Sequence, residues 1–430
     1  MNIKKYDVIG IGFGPANIAV ACAMEENNFN HDVIFLEAKK EALWQENMLF
    51  DESDIQNHPL RDLVTPRNPR SKYSFTNFLF EQNRLYEFLN TGMTFPYREE
   101  FSQYISWVAS HFDNIVRYNT RIQGIKLLED ETYEVIDTNG NMYFTQSIIF
   151  APGRTPNIPK EFQNIQSNKV IFLSQYLEAL KKIDSSKIKK VAVVGGSQSA
   201  IEIILHLSDY YPNAEVTGFT RKFGYLQKDV NPFTGEVYFP EFVDLFHAAS
   251  KSDKKRLTKD LHLTNYSASD YDVLDRLYKK MYLHKIQGKS QIKIHRSSDI
   301  TNTQEVENEI VVSFDKIENK SNTDENFDLV ILATGFKNTG VNDNEERMHS
   351  LLDNIKDHFA LDEDRCITIN HDYSARLKNP EIKTFFLNGL CESSHGMGDA
   401  GSFSLLALRS MQIVNSLKEA ISKKKTLITS

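Results

Sequence analysis

Near the N-terminus the apolar run Tyr6-Asp7-Val8-Ile9-Gly10-Ile11-Gly12 ends in glycines, and Ile18, Ala19, Cys22 and Ala23 then recur at helical spacing between Pro15 and Glu26. A second apolar run, Asp32-Val33-Ile34-Phe35-Leu36, stops at Glu37. Strand, tight turn, helix and strand in this order predict a β-α-β unit. The same grammar returns later. Lys189-Lys190-Val191-Ala192-Val193-Val194 leads into Gly195-Gly196-Ser197-Gln198-Ser199-Ala200, then a helix through Glu202 and Leu205, then a strand from Ala214 to Thr220. Two further buried-strand patterns end in small residues, Ser147–Phe150 before Ala151-Pro152-Gly153 and Phe327–Leu332 before Ala333-Thr334-Gly335. They are expected to carry the chain between the two β-α-β units. Residues 222–287 read as a polar-rich helical insertion, 302–326 as an exposed charged hairpin, and Ser422-Lys423-Lys424-Lys425 as a solvated helix end.

Composition narrows the class. With 430 residues, 40% hydrophobic and 25% charged, the chain is long enough for two or three cores. A net charge of −8 argues against a general nucleic-acid binder, which needs a basic face, and points to small-molecule partners. The three cysteines, Cys22, Cys366 and Cys391, lie far apart, so neither a disulfide framework nor a metal cage is expected. The first strand begins at once, leaving no room for a signal peptide, and no apolar run reaches the length of a membrane span. A cytoplasmic location follows as an expectation.

Gly10, Gly12 and Gly14, with Pro15 opening the helix, stand where a dinucleotide fingerprint belongs, and Glu37 lies 27 positions after Gly10. Missing side chains let backbone approach a pyrophosphate, the helix N-terminus adds positive partial charge, and Glu37 can accept from an adenosine ribose. The plainer reading is a turn that needs positive φ. In the second unit, Thr220-Arg221-Lys222 replaces the acid, with Arg221 26 positions after Gly195. A guanidinium pairs with a 2′-phosphate that a carboxylate would repel, which selects NADPH over NADH; the plainer reading is a basic surface turn. Ser197 stands at the second fingerprint glycine. An acidic and a basic ribose site suggest resident FAD and visiting NADPH. Without a redox cysteine pair a disulfide reductase is disfavoured, and a monooxygenase is the better reading. An NADPH oxidase or diaphorase, and a catalytically silent flavoprotein, stay open as alternatives.

The quoted residues resemble the flavin-dependent N-hydroxylating monooxygenases, the ornithine, lysine and diamine N-hydroxylases of hydroxamate siderophore biosynthesis. The resemblance is carried by Gly10-Ile11-Gly12-Phe13-Gly14-Pro15-Ala16-Asn17, Leu60-Arg61-Asp62-Leu63-Val64-Thr65-Pro66-Arg67-Asn68-Pro69 and Tyr73-Ser74-Phe75-Thr76-Asn77-Phe78-Leu79. Further carriers are Arg98-Glu99-Glu100-Phe101, Gly195 to Glu202, Asn265-Tyr266-Ser267 and Ser394-His395-Gly396. It implies an α/β fold of two Rossmann-like domains, the NADPH domain inserted in the FAD domain. The boundaries expected are 1–165 and 326–430 for FAD, and 166–325 for NADPH with a helical substrate region at about 222–290. It also implies a homo-oligomer, dimer or tetramer, and N-hydroxylation through a C4a-hydroperoxyflavin. By the same resemblance Gln56, Trp44, Asn47 and Asp399 meet the flavin side, and Gln198, Ser199 and Arg221 meet NADPH. Gln56 and Asn265 serve catalysis, and Arg61, Gly235 and Asn265 face the substrate. Two departures bear on the substrate. Arg61 replaces the family lysine that holds an amino acid's carboxylate, and Gly235 replaces an asparagine. The loop from Ala400 to Ser404 is one residue longer and smaller in side chain. The expected substrate is therefore a primary amine without an α-carboxylate, a diamine or histamine, with L-ornithine or L-lysine as the alternative.

Overall fold

The computed structural model describes residues 5–316, 322–379 and 384–429. Its first sheet is built on the strand Lys5–Ile11, flanked by Val33–Leu36 and Met142–Phe150, all parallel. The long strand Met142–Phe150 divides its outer edge: its first half pairs antiparallel with Tyr133–Asp137, its second half parallel with Phe385–Leu387. Val8, Ile9, Ile148, Ile149, Phe150 and Phe385 are fully buried, as strands covered on both faces must be. Gly10 is a packing requirement here. A Cβ on it would stand 2.1 Å from the ring of Phe35, its neighbour in register across the sheet.

The second sheet runs Ile292–His295, Glu215–Phe219, Lys190–Val194, Leu329–Leu332, Val170–Phe172, all parallel. This moves one expected boundary. A closing FAD portion from 326 would place Leu329–Leu332 in the first sheet, yet this strand hydrogen-bonds between Lys190–Val194 and Val170–Phe172 inside the second. The chain returns to the first domain only after it. A run of four apolar residues suits either sheet, and its partners lie more than a hundred residues away, so pattern alone does not choose. Residues 302–326 also differ from an exposed hairpin. Ser298–Val306, Glu309–Lys316 and Asn322–Phe327 form a three-stranded antiparallel sheet whose Ile310, Val312, Phe314 and Phe327 are buried in the second core.

The insertion holds the helices Pro240–Ala248, Lys251–Asp260 and Tyr271–Ile286, preceded by a loop with one short 3₁₀ turn, Thr234–Tyr238. Proline at the first helical position starts one helix, and the Ser250 hydroxyl, accepting from the Asp253 amide at 3.2 Å, starts the next. The C-terminal helix Leu406–Thr429 packs on Pro15–Glu26. Ser422 and Lys423 are exposed on it, while the side chains of Lys424 and Lys425 lie outside the described residues. Among the described residues no helix is long and apolar enough to cross a membrane.

Candidate functional site: two phosphate cradles and the cleft between them

At the end of the first strand Gly12 adopts φ +81°, and a Cβ there would meet the Ala151 carbonyl oxygen at 2.2 Å. Only glycine serves at that position. Gly14, by contrast, faces open space, with nothing within 4 Å of a would-be Cβ. It caps the helix Pro15–Glu26 without offering a side chain, so the helix amides stay free for an anion. Glu37 reaches across the loop and accepts from the amides of Phe13 at 2.6 Å and Lys39 at 2.8 Å. Open space at Gly14, uncapped amides and an acid at the ribose position fit FAD.

Behind the loop a chain of buried polar groups fixes its shape. Asn17 donates to the Gly12 carbonyl at 2.7 Å, Asn388 to Asn17 at 3.0 Å, and Arg409 to Asn388 at 2.9 Å. Arg409 in turn pairs with Asp399 at 3.1 Å, which also accepts from Tyr373 at 3.1 Å. Asp399 is fully buried, so its carboxylate is not the cofactor contact expected of it. It neutralises Arg409, which would otherwise be an unpaired buried charge.

The second cradle shows the same logic. A Cβ on Gly195 would stand 2.5 Å from the Ala333 carbonyl oxygen, and Ser197 precedes the helix Gln198–Tyr210 without capping it. Ser199 is half-buried on the first turn. Arg221 lies exposed just beyond the strand Glu215–Phe219, with no ion-pair partner among the described residues. A free guanidinium beside uncapped helix amides fits a 2′-phosphorylated dinucleotide. Gln198 is committed within the protein. Its side chain is buried, accepting from the Asp270 amide at 2.8 Å and donating to Glu202 at 3.0 Å.

Between the cradles the two domains are clasped. Arg98 donates to both oxygens of Glu202 at 2.9 Å, with both side chains buried, and to the carbonyls of Met48 at 2.7 Å and Asp54 at 3.1 Å. Gln56, held at φ +52°, donates to Asp270 at 2.5 Å across the domain boundary. Asn47, expected along the flavin, gives its side-chain oxygen to the Glu178 amide at 2.8 Å, so it too is a domain tie. Trp44 stands edge-on to Phe101 and Phe403. Desolvation first, then Asp270, Asp272 and Glu202 nearby, push the Asp54 carboxyl up to about 6.

A polar wall is built around Arg61. Arg61 donates to the Ser404 hydroxyl at 3.3 Å and lies 5.7 Å over the Tyr238 ring, half-buried and without a carboxylate partner among the described residues. Tyr238, whose phenol burial pushes up to about 12, donates to the Thr264 carbonyl at 2.9 Å, next to Asn265. Above Gly401 a would-be Cβ stands 3.5 Å from the Asn265 side-chain nitrogen, 3.5 Å from the Tyr266 hydroxyl and 3.7 Å from Arg154. Tyr266 donates to Glu392, which also accepts from Asn338 at 3.0 Å. Burial raises the Glu392 carboxyl. The structure thus brings Arg61 and Asn265 onto one wall; Gly235 lies on the loop before it, its surroundings open and its amide bonded to Asn231 at 2.9 Å. Tyr238, Arg154, Glu392 and Ser404 were not singled out by sequence. The signals that reached this wall were Arg61 in the quoted Leu60–Pro69 run, the Asn265-Tyr266-Ser267 run and the altered loop from Ala400 to Ser404. His395 is buried, stacked 4.1 Å from Tyr373 and bonded to Ser394 at 2.7 Å and the His371 carbonyl at 3.1 Å, so it packs rather than reacts.

Residues 4–338 match the family model of L-lysine 6-monooxygenase/L-ornithine 5-monooxygenase. The chain is 32% identical over 427 residues to the L-ornithine N(5)-monooxygenase of Pseudomonas aeruginosa, covering 96% of this chain and 93% of that protein. Its fold superposes with TM-score 0.89 on the Kutzneria sp. 744 ornithine N-hydroxylase, solved with reduced FAD, NADP+ and L-ornithine, at 28% identity over 97% of this chain and 99% of that one. It superposes with TM-score 0.85 on the L-lysine 6-monooxygenase of Pseudomonas syringae, at 30% identity over 96% of this chain and 99% of that one. Two glycine cradles of opposite ribose charge, a clasped cleft and a match over most of the length lead to one assignment: this chain belongs to the lysine/ornithine N-monooxygenase family.

Proposed function

We propose that this protein hydroxylates the side-chain amine of L-ornithine, with FAD at the Gly10–Gly14 cradle and NADPH at the Gly195–Arg221 cradle, and that the product enters hydroxamate siderophore assembly. It is a flavin-dependent N-hydroxylating monooxygenase that uses NADPH and O2. Hydride acceptance and oxygen activation are the chemistry that the bound flavin supplies. The protein's residues bind, orient and dry the amine. A free alkyl ammonium titrates near about 10.4 and is not nucleophilic, so the cleft must favour the neutral amine by excluding water. Trp44, Phe403 and Tyr238 supply apolar surface for that task.

The observation that carries the substrate reading is Arg61. A half-buried guanidinium, steadied by Ser404 and Tyr238 and with no carboxylate partner among the described residues, is suited to receive one. Two parallel N–H donors can grip an α-carboxylate bidentately and replace the donor lost at Gly235. The expectation of a substrate without an α-carboxylate rested on Gly235 and on the small side chains of the Ala400–Ser404 loop, and it yields to this; the names of the relatives also favour ornithine. Lysine is one methylene longer, a difference worth about 1–3 kcal/mol in a fitted pocket. Aerobic turnover of ornithine, lysine and putrescine with NADPH, scored by hydroxylamine formed rather than NADPH lost, tests the proposal. Ornithine is expected to show the highest kcat/KM. A higher value for putrescine rejects the carboxylate clamp, and NADPH loss without hydroxylamine from any amine rejects the monooxygenase in favour of an oxidase.

A further inference from the structure

The chain crosses between the two domains where it leaves Met142–Phe150 and again where it leaves Leu329–Leu332, and the two crossings pair with each other. Lys337 donates its amide to the Thr155 carbonyl at 2.8 Å, and Asn157 to that of Gly335 at 3.0 Å. Arg154 of the first crossing and Asn338 of the second then meet two residues from elsewhere: Tyr266 of the insertion, and Glu392, which follows the first-sheet strand Phe385–Leu387. Four segments of chain thus bring one side chain each to a half-buried polar cluster.

The hydrogen bonds of this cluster admit one arrangement. Arg154 has only donors, so it donates to the Tyr266 hydroxyl at 3.3 Å and to the Asn338 side-chain oxygen at 3.1 Å. That fixes the Asn338 amide with its nitrogen toward one Glu392 oxygen at 3.0 Å and toward the Tyr266 hydroxyl at 3.3 Å. A phenol that accepts twice has one proton to give, and Tyr266 gives it to the other Glu392 oxygen. Glu392 is approached by a donor at each oxygen, and only a carboxylate accepts both with no proton of its own to place.

What the cluster holds is the turn at Asn265. Ser267 sits at φ +54°, in the left-handed region that a serine keeps only where its surroundings require it. Tyr238 fixes the Thr264 carbonyl on one side of Asn265, and the bond from Tyr266 to Glu392 fixes the other. The Asn265 side chain itself has no hydrogen-bond partner among the described residues. Its nitrogen, the Tyr266 hydroxyl and Arg154 all lie within 3.7 Å of a would-be Cβ on Gly401. We propose that Glu392 is a positioning residue for N-hydroxylation: through Tyr266 it sets the direction of the Asn265 amide, and with it the share of consumed NADPH that ends as hydroxylamine. This rests on Asn265 facing the substrate, and not on which amine the substrate is. An amine held about 1 Å off its line of attack reacts on the order of a hundredfold more slowly, whereas NADPH oxidation by oxygen needs no amine.

Hydroxylamine formed per NADPH consumed by the holoenzyme tests this, with whichever of ornithine, lysine and putrescine the wild type turns over fastest. Glutamine keeps the shape of Glu392, but its NH2 meets either the Asn338 nitrogen or the Tyr266 hydroxyl and leaves one donor without an acceptor. Glu392→Gln is therefore expected to lower the ratio by about tenfold or more. Asn338→Asp sets two carboxylates together and is expected to lower it likewise. In the double variant the glutamine donates to the carboxylate at position 338 and accepts from Tyr266, so the ratio is expected to recover most of the way to wild type. Flavin absorbance and Tm report folding in each variant. A ratio that Glu392→Gln lowers only in step with lost flavin or Tm, or a double variant no better than the single ones, overturns the proposal. Asn265→Ala separates its two parts. A loss with Asn265→Ala but none with Glu392→Gln overturns the role of Glu392 alone, and a wild-type ratio in Asn265→Ala overturns it together with the placement of Asn265 against the substrate.

Discussion

Asp54 shows how one residue's surroundings set its chemistry. Its carboxyl is pushed up to about 6, first by burial and then by Asp270, Asp272 and Glu202, although it accepts the Gln56 amide at 2.8 Å. A folded-state value above the ordinary aspartate value of 3.8 means that the folded chain holds the proton more tightly than the unfolded one. The contribution to stability is therefore full below the ordinary value and is lost as pH rises through about 6. Asp54→Asn keeps the acceptor for Gln56 and removes the charge. It is expected to raise stability at pH 8 by about 1 kcal/mol after solvent screening, and to change little below about pH 4. Thermal melts of both proteins at the two pH values measure it, and equal shifts at both refute the burial argument. Asp399, Gln198 and Asn47 teach a related lesson. Each side chain is engaged within the protein, Asp399 by Arg409, Gln198 by the Asp270 amide and Asn47 by the Glu178 amide.

At the scale of elements, each β-α-β unit follows its second strand with the residue proposed to read the ribose. Glu37 closes the first and Arg221 follows the second. Arg221→Ala is expected to raise the KM for NADPH by roughly ten- to a hundredfold, the worth of about 1.5–3 kcal/mol for a charge-assisted contact, and to leave the KM for NADH nearly unchanged. Steady-state kinetics with both dinucleotides measure it, and equal effects show that Arg221 does not read the phosphate. These elements were legible because their cause is local. Strand, glycine turn and helix lie within thirty-seven residues at the N-terminus, and periodicity, missing side chains and the terminal charge all sit in one stretch. The sheet taken by Leu329–Leu332 was not legible, because apolar pattern reports burial and not partner. The contact of Gln56 with Asp270 spans 214 positions, and that of Arg98 with Glu202 spans 104, so nothing near either residue announces it.

Across the whole molecule, the two cradles work only if the cleft between them keeps its width. The buried Arg98–Glu202 pair is well placed to set that width, since removing one partner from such a pair typically costs about 3–5 kcal/mol. Gln56 with Asp270, Asn47 with Glu178 and Arg276 with Glu52 add ties around it. On the other side, Arg61, Ser404 and Tyr238 join the loop before the C-terminal helix to the insertion of the second domain, so the proposed carboxylate clamp draws on both domains at once. That arrangement makes recognition of the α-carboxylate the central claim. Its most direct test is the ratio of kcat/KM for ornithine over putrescine, measured by hydroxylamine formed, in the wild-type protein and in Arg61→Met. The ratio is expected to be well above one in the wild type and to fall by roughly ten- to a hundredfold in the variant, through KM for ornithine, with putrescine hydroxylation retained. A ratio that Arg61→Met leaves unchanged contradicts the account.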